Sequence, residues 1–423
     1  DKNAVECDKR RKLHNLVQEL KGNIRVYCRI RPLNPTFGEK GGIISYPGPD
    51  EISLKNEDQG TRKTWQFNEI FREDSTQGQL FESIRDLVTS MLDGYNVCIF
   101  AYGQTGSGKT HTLFGPDGCF QDALRAADEE ALPMTSGIAL RSLHELLGQS
   151  KHLQQQKGVS VSVTCQYVEI YNEQVTDLLA GGSVQVRGPR ATLVGAAEAP
   201  IETFREAVEL LVQGQERKHI AQTAMNERSS RAHTVFALNL TQVNERLGST
   251  VTSTLHLVDL AGSEQLKLSQ ATGQRQVEAI GINTSLMVLG RVITALVEGH
   301  GHVPYYESVL TQLLRPALGG RSRTTVVVTA SSDDAHGDQT LHALRFGERC
   351  QRVVNRAALE AVTNVGDALR TIDEALQTCQ DAMARQKERG LDHLPGYQRL
   401  REKYEKLTQT RSTLTAGGSR EAN

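Results

Sequence analysis

From Ile24 the chain alternates, with Val26, Cys28 and Ile30 apolar against Arg25, Arg29 and Arg31 until Pro32 ends the run. A period of two puts one set of side chains on one face, so this segment is expected to open a β-sheet. Upstream, Leu13, Leu16, Val17 and Leu20 recur at helical spacing and Gly22-Asn23 supplies a stop. That predicts a helix over 1–21 and a domain boundary near residue 22. Between about 24 and 350, short runs rich in β-branched residues alternate with helical stretches, the best strands being Val97–Tyr102, Val159–Ile170, Val235–Gln242, Thr252–Leu260 and Thr324–Ala330. Such a rhythm is that of an α/β sheet with helices on its faces. Residues 115–137 interrupt it: they open with GPDG, carry Asp128, Glu129 and Glu130, and read as an extended surface loop with room for one helical turn.

After Asn355 the pattern reads as purely helical. Val362, Val365, Leu369, Ile372, Leu376, Cys379 and Met383 follow a 3-4-3-4-3-4 spacing, a heptad seam that suits either a helix hairpin packed on the domain or a coiled-coil dimer. Gly390, Pro395 and Gly396 break the seam before a second helical stretch over 397–407. The expected organisation is a helix over 1–22, a main domain over 23–355, a helical extension over 356–415 and a disordered tail over 416–423.

Composition narrows the class without changing this picture. At 423 residues, with 38% hydrophobic and 23% charged residues, the chain has the make-up of a globular protein with a sizeable core. No apolar run reaches the eighteen residues of a membrane span, and the charged N-terminus lacks the apolar core of a secretory signal. Seven scattered cysteines form no CxxC pair, so they are expected to be packing thiols of a reducing, intracellular compartment. A formal net charge of −2 gives no global pull toward an acidic partner; binding one would need a local basic surface. No nucleic-acid or membrane partner is expected.

The chemistry concentrates in three motifs. GQTGSGKT at 103–110 fits the phosphate-binding pattern GxxxxGK[ST] and sits between a buried strand, VCIFAY, and an expected helix start at Lys109. Gly103, Gly106 and Gly108 allow backbone angles that turn successive N–H groups toward phosphates, and Gln104, Thr105 and Ser107 complete the loop. Lys109 would neutralise the outer phosphates, and Thr110 would offer its hydroxyl to Mg²⁺. DLAGSE at 259–264 follows a strand, placing Asp259 at a strand's C-terminal end as a carboxylate linked to Mg²⁺ through water, with Gly262 able to present its N–H to a γ-phosphate. NERSSRAH at 226–233 joins Ser229, Ser230 and Arg231 in a polar cluster without apolar periodicity, which suits a loop reaching for phosphate, Mg²⁺ and water.

Together these segments resemble the kinesin motor family. The resemblance runs in order through RIRP (29–32), NVCIFAYGQTGSGKTHT (96–112), EIYNE (169–173), NERSSRAH, DLAGSE, INTSL (282–286), LGGRSRT (318–324) and LRFGERC (344–350). It implies an eight-stranded, mostly parallel sheet flanked by three helices per side, ATP hydrolysis and microtubule binding, in the cytoplasm and cytoskeleton, the spindle included. Carried over, it places Arg29, Arg31 and Pro32 against the adenine side of ATP, with His111 stacking opposite. It makes Ser229 and Ser230 a first switch around Mg²⁺ and the attacking water, and pairs Arg231 with Glu264 of the second switch, Glu264 serving as proton-relay partner. It also presses the helix near residues 280–296 against tubulin, with Lys267, Arg275, Arg291, Arg315 and Arg321 as contacting cations. The Gly22-Asn23 neck resembles that of the C-terminal-motor subfamily, whose members move toward microtubule minus ends, and the 356–415 segment resembles the extension of plant-type members. Dimerisation, as a homodimer or heterodimer through the neck coiled coil, is implied with it. The chain, beginning mid-helix without Met, is expected to be part of a longer protein.

The departures from the family pattern cluster. Ala232, Gln265 and Thr284 stand where members read SSRSH, SER and INKSL, and PYYESVLTQLL at 304–314 replaces three usual cations by Tyr306, Val309 and Gln312. Residues 265–330 keep six basic side chains (Lys267, Arg275, Arg291, Arg315, Arg321, Arg323) against three acidic ones (Glu278, Glu298, Glu307). With a +3 surplus left, attraction to acidic tubulin is expected to be weaker or more sensitive to salt. An end remodeller, a nucleotide-regulated crosslinker and a P-loop NTPase unrelated to tubulin remain open beside a motor. Ala232 removes one hydroxyl and is expected to leave hydrolysis intact. Lys109→Ala is expected to abolish nucleotide binding and ATPase; parent-like turnover in that variant would overturn the site assignment.

Overall fold

The computed structural model describes residues 24–358 except 35, 37, 56–60, 127–131, 156–158, 224–230, 245–248 and 265–273. Beyond that span it describes residue 15, residues 363–364 and single helical positions between 376 and 408; the side chains of 221–223 and 274–283 are not described. The chain divides into two compact units: Asp1–His152 with Ser162–Leu240 and Ser253–Glu360, and Leu153–Val161 with Thr241–Thr252 and Ala361–Asn423.

The strands are β1 (Arg25–Arg31), β2 (Ile44–Ser45), β3 (Glu51–Lys55), β4 (Arg62–Gln66), β5 (Glu69–Phe71), β6 (Val97–Tyr102), β7 (Val159–Tyr171), β8 (Gln174–Asp177), β9 (Ser183–Arg187), β10 (Thr192–Val194), β11 (Ala199–Ile201), β12 (His233–Asn244), β13 (Ser249–Asp259), β14 (Arg323–Ser331) and β15 (Thr363–Asn364). Among them run the helices α1 (Gln77–Leu92), α2 (Lys109–Phe114), α3 (Cys119–Ala126), α4 (Ile138–Gln154), α5 (Phe204–Thr223), α6 (Gln274–Val297), α7 (Val309–Leu314) and α8 (Gly337–Cys350). The main sheet has the order β10-β9-β8-β7-β12-β13-β6-β14-β1-β5. Its middle is parallel: β6 lies between β13 and β14, and β1 between β14 and β5. Both faces of such strands are covered, which is why β6 and β14 read as runs without alternation: every residue of β14 is buried.

The α/β architecture agrees with the expectation, and the five strands picked out above are all present within three residues at each end. The sheet is larger and more mixed than eight mostly parallel strands, counting twelve among the described residues. The additions are short segments at its margin, β8 and β9 pairing antiparallel beside β7, and β10 beyond them. They follow tight turns, and a turn of a few residues can only return a strand antiparallel. A second correction concerns residues 115–137, which hold a helix, α3, whose Cys119, Phe120 and Ala123 are buried. Its apolar positions are spaced one and three apart, enough for two helical turns against a core but too few to stand out in sequence. Cys28, Cys98, Cys119, Cys165 and Cys350 are buried free thiols, as packing residues should be.

In the second unit, Thr363 and Asn364 pair antiparallel with Thr250 and Ser249 of β13. The segment after Asn355 is therefore not helical from its start, because hydrogen bonding to an open strand competes with the helical period there. Further on, Leu376 and Met383 are helical and partly covered, and Gln380 Nε2 donates to Tyr404 Oη at 2.8 Å. The other seam positions lie outside the described residues. So does the 1–21 helix apart from Asn15, whose side chain accepts from Arg323 Nη2 at 3.0 Å.

Helix α1 is started by a capping box: Gln79 N donates to Thr76 Oγ1 at 3.2 Å, and Thr76 N to Gln79 Oε1 at 2.8 Å. Two of the helix's otherwise unsatisfied N–H groups are thereby used, and the first turn, which carries Gln77, is set in place. Thr76→Ala is expected to lower unfolding stability by about 1 kcal/mol, read from denaturant midpoints; an unchanged midpoint would show that the cap does not hold α1.

Candidate nucleotide site

Strands β1, β6 and β13 run parallel within one sheet, so their C-terminal ends, Arg31, Tyr102 and Asp259, share an edge. Open α/β sheets bind ligands at that edge, and here it carries a cavity of about 620 Å³ lined by 29–32, 105–112, Ala232, Asp259 and Gly262, with Glu73 and Ser75 at one side. The loop 103–108 enters it from β6 and feeds α2. Gly106 and Gly108 hold φ of 75° and 98°, as expected. Gly103 does not; it is required because the Thr329 carbonyl of β14 lies 2.1 Å from where a Cβ would stand.

Lys109 is buried, and its ammonium donates to the carbonyls of Gly103 at 2.9 Å and Gln104 at 2.8 Å. Burial lowers its pKa, while the carboxylates of Asp259 and Glu264 pull the other way. Thr110 Oγ1 donates to Asp259 Oδ2 at 2.6 Å. The second oxygen, Asp259 Oδ1, is buried without a hydrogen-bond partner. A hydroxyl and a carboxylate with one lone-paired oxygen left over, beside a phosphate-binding loop, fit a hard divalent cation such as Mg²⁺.

The 261–264 loop is fastened to the phosphate loop at two points. Ser263 N donates to the Gly103 carbonyl at 3.0 Å, and the Glu264 carboxylate accepts from Thr105 N at 2.8 Å and Thr105 Oγ1 at 2.5 Å. A Cβ on Gly262 would stand 2.3 Å from both Glu264 oxygens and from Thr105 Oγ1, so only glycine permits this approach.

On the opposite side of the cavity, Arg29 is nearly enclosed: its Nη1 donates to Gln77 Oε1 at 2.8 Å and Thr112 Oγ1 at 3.0 Å, and burial pulls its pKa down to about 10. Arg31 Nη2 is held by Glu39 Oε1 at 2.5 Å. Burial and the Arg29 charge lower the pKa of His111, which favours the neutral ring. Gln77 was not singled out in the sequence. Besides accepting from Arg29, it donates to the His111 carbonyl at 2.6 Å, so one amide ties both flanks of the expected adenine clamp. A polar residue in a helix's first turn carries no sequence signal that separates it from a cap.

Of the first switch, Ser229 and Ser230 lie outside the described residues; Arg231 is half-buried and Ala232 is buried in the cavity wall. His233, the last residue of the NERSSRAH motif and the first of β12, has bonds that the motif does not foretell. It is buried, accepts from Ala261 N at Nδ1 over 2.9 Å and meets Ser285 Oγ of α6 at Nε2 over 2.9 Å.

The expected track-facing cations are less available than their count implies. Lys267 lies outside the described residues, as does the Arg275 side chain. Arg291 pairs with Glu307. Arg315 lies over the rings of Tyr305 and Tyr306 and donates to Tyr306 Oη at 2.5 Å, and Arg321 is exposed. Arg323 has to be withdrawn from the basic surplus: it is buried, sits 3.6 Å above the Tyr95 ring and donates to Ser90 Oγ at 2.6 Å. The EIYNE turn supports this region. Asn172 and Glu173 adopt φ of 49° and 59°, and Glu173 accepts from Val309 N at 2.6 Å and Ser308 Oγ at 3.0 Å, a carboxylate at the N-terminus of α7.

Comparison with known proteins agrees with this geometry. The kinesin motor domain family matches residues 29–353. Kinesin-like protein KIN-14P of Arabidopsis thaliana is 39% identical over 401 residues, 91% of this chain and 38% of that protein. Kinesin-like protein KIN-14D of Oryza sativa subsp. japonica is 41% identical over 355 residues, 81% of this chain and 35% of that protein. The chain thus spans little more than a third of the length of these curated relatives. The solved structure of a fast kinesin superposes with a TM-score of 0.71 at 34% identity, covering 81% of this chain and 94% of that one. With the phosphate loop, the Thr110–Asp259 pair and the fastened 261–264 loop all inside the matched span, the chain belongs to the kinesin motor domain family, whose members are ATPases.

Proposed function

We propose that this chain hydrolyses Mg²⁺-bound ATP and couples hydrolysis to movement along microtubules, toward the minus end as in the subfamily that its neck and its KIN-14 relatives resemble. The observation that carries the chemistry is the Thr110–Asp259 hydrogen bond beside a buried, unpartnered carboxylate oxygen. Thr110 would hold Mg²⁺ directly, Asp259 would hold it through water, and Ser230 would complete the set. Bound there, the ion would supply positive charge against the transferring phosphoryl group.

The remaining work is positional. Lys109 exchanges two backbone carbonyls for phosphate oxygens, a gain because an ammonium shielded from water interacts more strongly with full charge. Gly262 presents its N–H where a γ-phosphate would lie. Glu264 is held by Thr105; to pair with Arg231 and relay a proton from the attacking water it has to leave that residue, so the Thr105 contact marks one state of a two-state switch. Ser229 and Ser230 orient the water, and Arg29, Arg31, Pro32 and His111 hold the adenine.

We assign residues 1–22 to a dimerising neck, 23–355 to the motor domain and 356–415 to a helical extension, in a cytoskeletal protein. The ties on Arg291, Arg315 and Arg323 support weak track affinity. They leave room for a second reading, a nucleotide-regulated crosslinker with little motility, which filament gliding would separate from a motor.

Asp259→Asn is expected to raise the Mg²⁺ concentration needed for half-maximal ATPase by about 10–100-fold; an unchanged Mg²⁺ dependence would remove Asp259 from the metal site. Polymerised tubulin is expected to stimulate the ATPase of the unmodified chain at low ionic strength, with binding lost as salt rises. The double variant Val309→Lys, Gln312→Arg is expected to tighten binding several-fold. Without stimulation, a P-loop NTPase unrelated to tubulin becomes the better description; strong binding at high salt would refute the weakened track surface.

A further inference from the structure

Helix α6 and the 261–264 loop are neighbours in sequence, separated by 265–273, and one described contact joins them without following the chain. His233 bridges the Ala261 backbone to Ser285. Because Ala261 N–H donates to Nδ1, that nitrogen carries no proton. In a neutral imidazole the proton is then on Nε2, which donates to Ser285 Oγ. Neutrality follows from the surroundings: the ring is buried, and burial with the nearby Lys109 charge pushes its pKa down to about 3. At physiological pH the direction of both hydrogen bonds is therefore fixed.

The three partners belong to three functional parts. His233 begins β12 directly after the first-switch cluster, Ala261 precedes the glycine aimed at the γ-phosphate, and Ser285 is a buried residue of α6 whose neighbours Met287 and Arg291 face outward. The contact lies in the packed interior, where two hydrogen bonds from one rigid ring tolerate little displacement; if the 261–264 loop shifts, the ring turns with it or one bond breaks.

We propose that His233 is the positioning residue through which displacement of the 261–264 loop is passed to α6, by way of its bond to Ser285. It touches neither nucleotide nor track. The coupling from loop to helix stands on the described contacts alone; its consequence for track affinity rests on the microtubule reading given above.

Two substitutions break the outer bond from opposite sides. Ser285→Ala removes the acceptor, and His233→Asn retains an acceptor at the Nδ1 position but no longer reaches α6. His233→Gln does the reverse, keeping a donor near Ser285 and losing Ala261. In the unmodified chain, amide hydrogen exchange over 284–297 is expected to differ between ADP and a non-hydrolysable ATP analogue. In Ser285→Ala that difference is expected to vanish while ADP affinity and the thermal midpoint stay at parent values, a combination that mere loss of packing would not produce. His233→Asn is expected to match Ser285→Ala in the exchange readout. In microtubule co-sedimentation, the ratio of dissociation constants in the two nucleotide states is expected to contract by about fivefold or more. An exchange difference that persists in Ser285→Ala, or that the unmodified chain never shows, overturns the proposal. If the exchange result holds and no track binding is seen with either nucleotide, the coupling stands and the microtubule reading falls.

Discussion

The register between β13 and β6 is the constraint on which the site depends. Leu255 pairs with Val97 and Asp259 with Ala101, so the carboxylate arrives beside the start of α2 and meets Thr110. A slip of one residue would turn Asp259 to the opposite face of the sheet, since side chains alternate. What prevents the slip is burial: β6 and β14 are buried on both faces, and the helices that cover them leave a single register in which all those side chains are enclosed. Catalytic geometry here follows from how the sheet is packed.

The site also stores electrostatic imbalance. Lys109 and Arg29 are cations in places where water is scarce, and burying a charge is tolerated only when hydrogen bonds and opposite charge replace hydration. Each has found a makeshift partner: Lys109 in the loop's own carbonyls, Arg29 in Gln77 and Thr112. Glu264 is held by Thr105 in the same manner. Groups satisfied by neutral donors and acceptors can exchange them for a polyanion and its metal ion, so the loop is organised for its ligand while remaining satisfied alone.

A different balance governs the α6–α7 face. Where the family pattern has cations, this chain has Tyr306, Val309 and Gln312, and among the described cations that persist Arg291, Arg315 and Arg323 are engaged within the chain. An exposed ion pair such as Arg291 with Glu307 contributes little to stability, yet it removes a free charge from the field that an acidic surface would feel. Charge counting along the sequence treats every arginine as equal. Arg323, stacked on Tyr95 and buried, shows why it cannot.

The motifs at 103–110 and 259–264 were legible in the sequence because their chemistry demands particular residue types at fixed local spacing, and the strands around them because apolar runs and alternation are local patterns. The helix α3 was not legible, since its few apolar positions gain meaning only from the core they meet. Nor were β8 to β10 as parts of the main sheet, or β15, because pairing partners are chosen across long stretches of chain. Gln77 and His233 owe their roles to packing: Gln77 is an ordinary polar residue by position that ties Arg29 to His111, and His233 closes the NERSSRAH motif without any local mark of the bonds by which it joins Ala261 to Ser285. Local order therefore determined which chemistry this protein carries. Tertiary packing alone decided which polar groups hold it in place and which cations are left to face a partner, because burial and hydrogen-bond partners are properties of the folded chain.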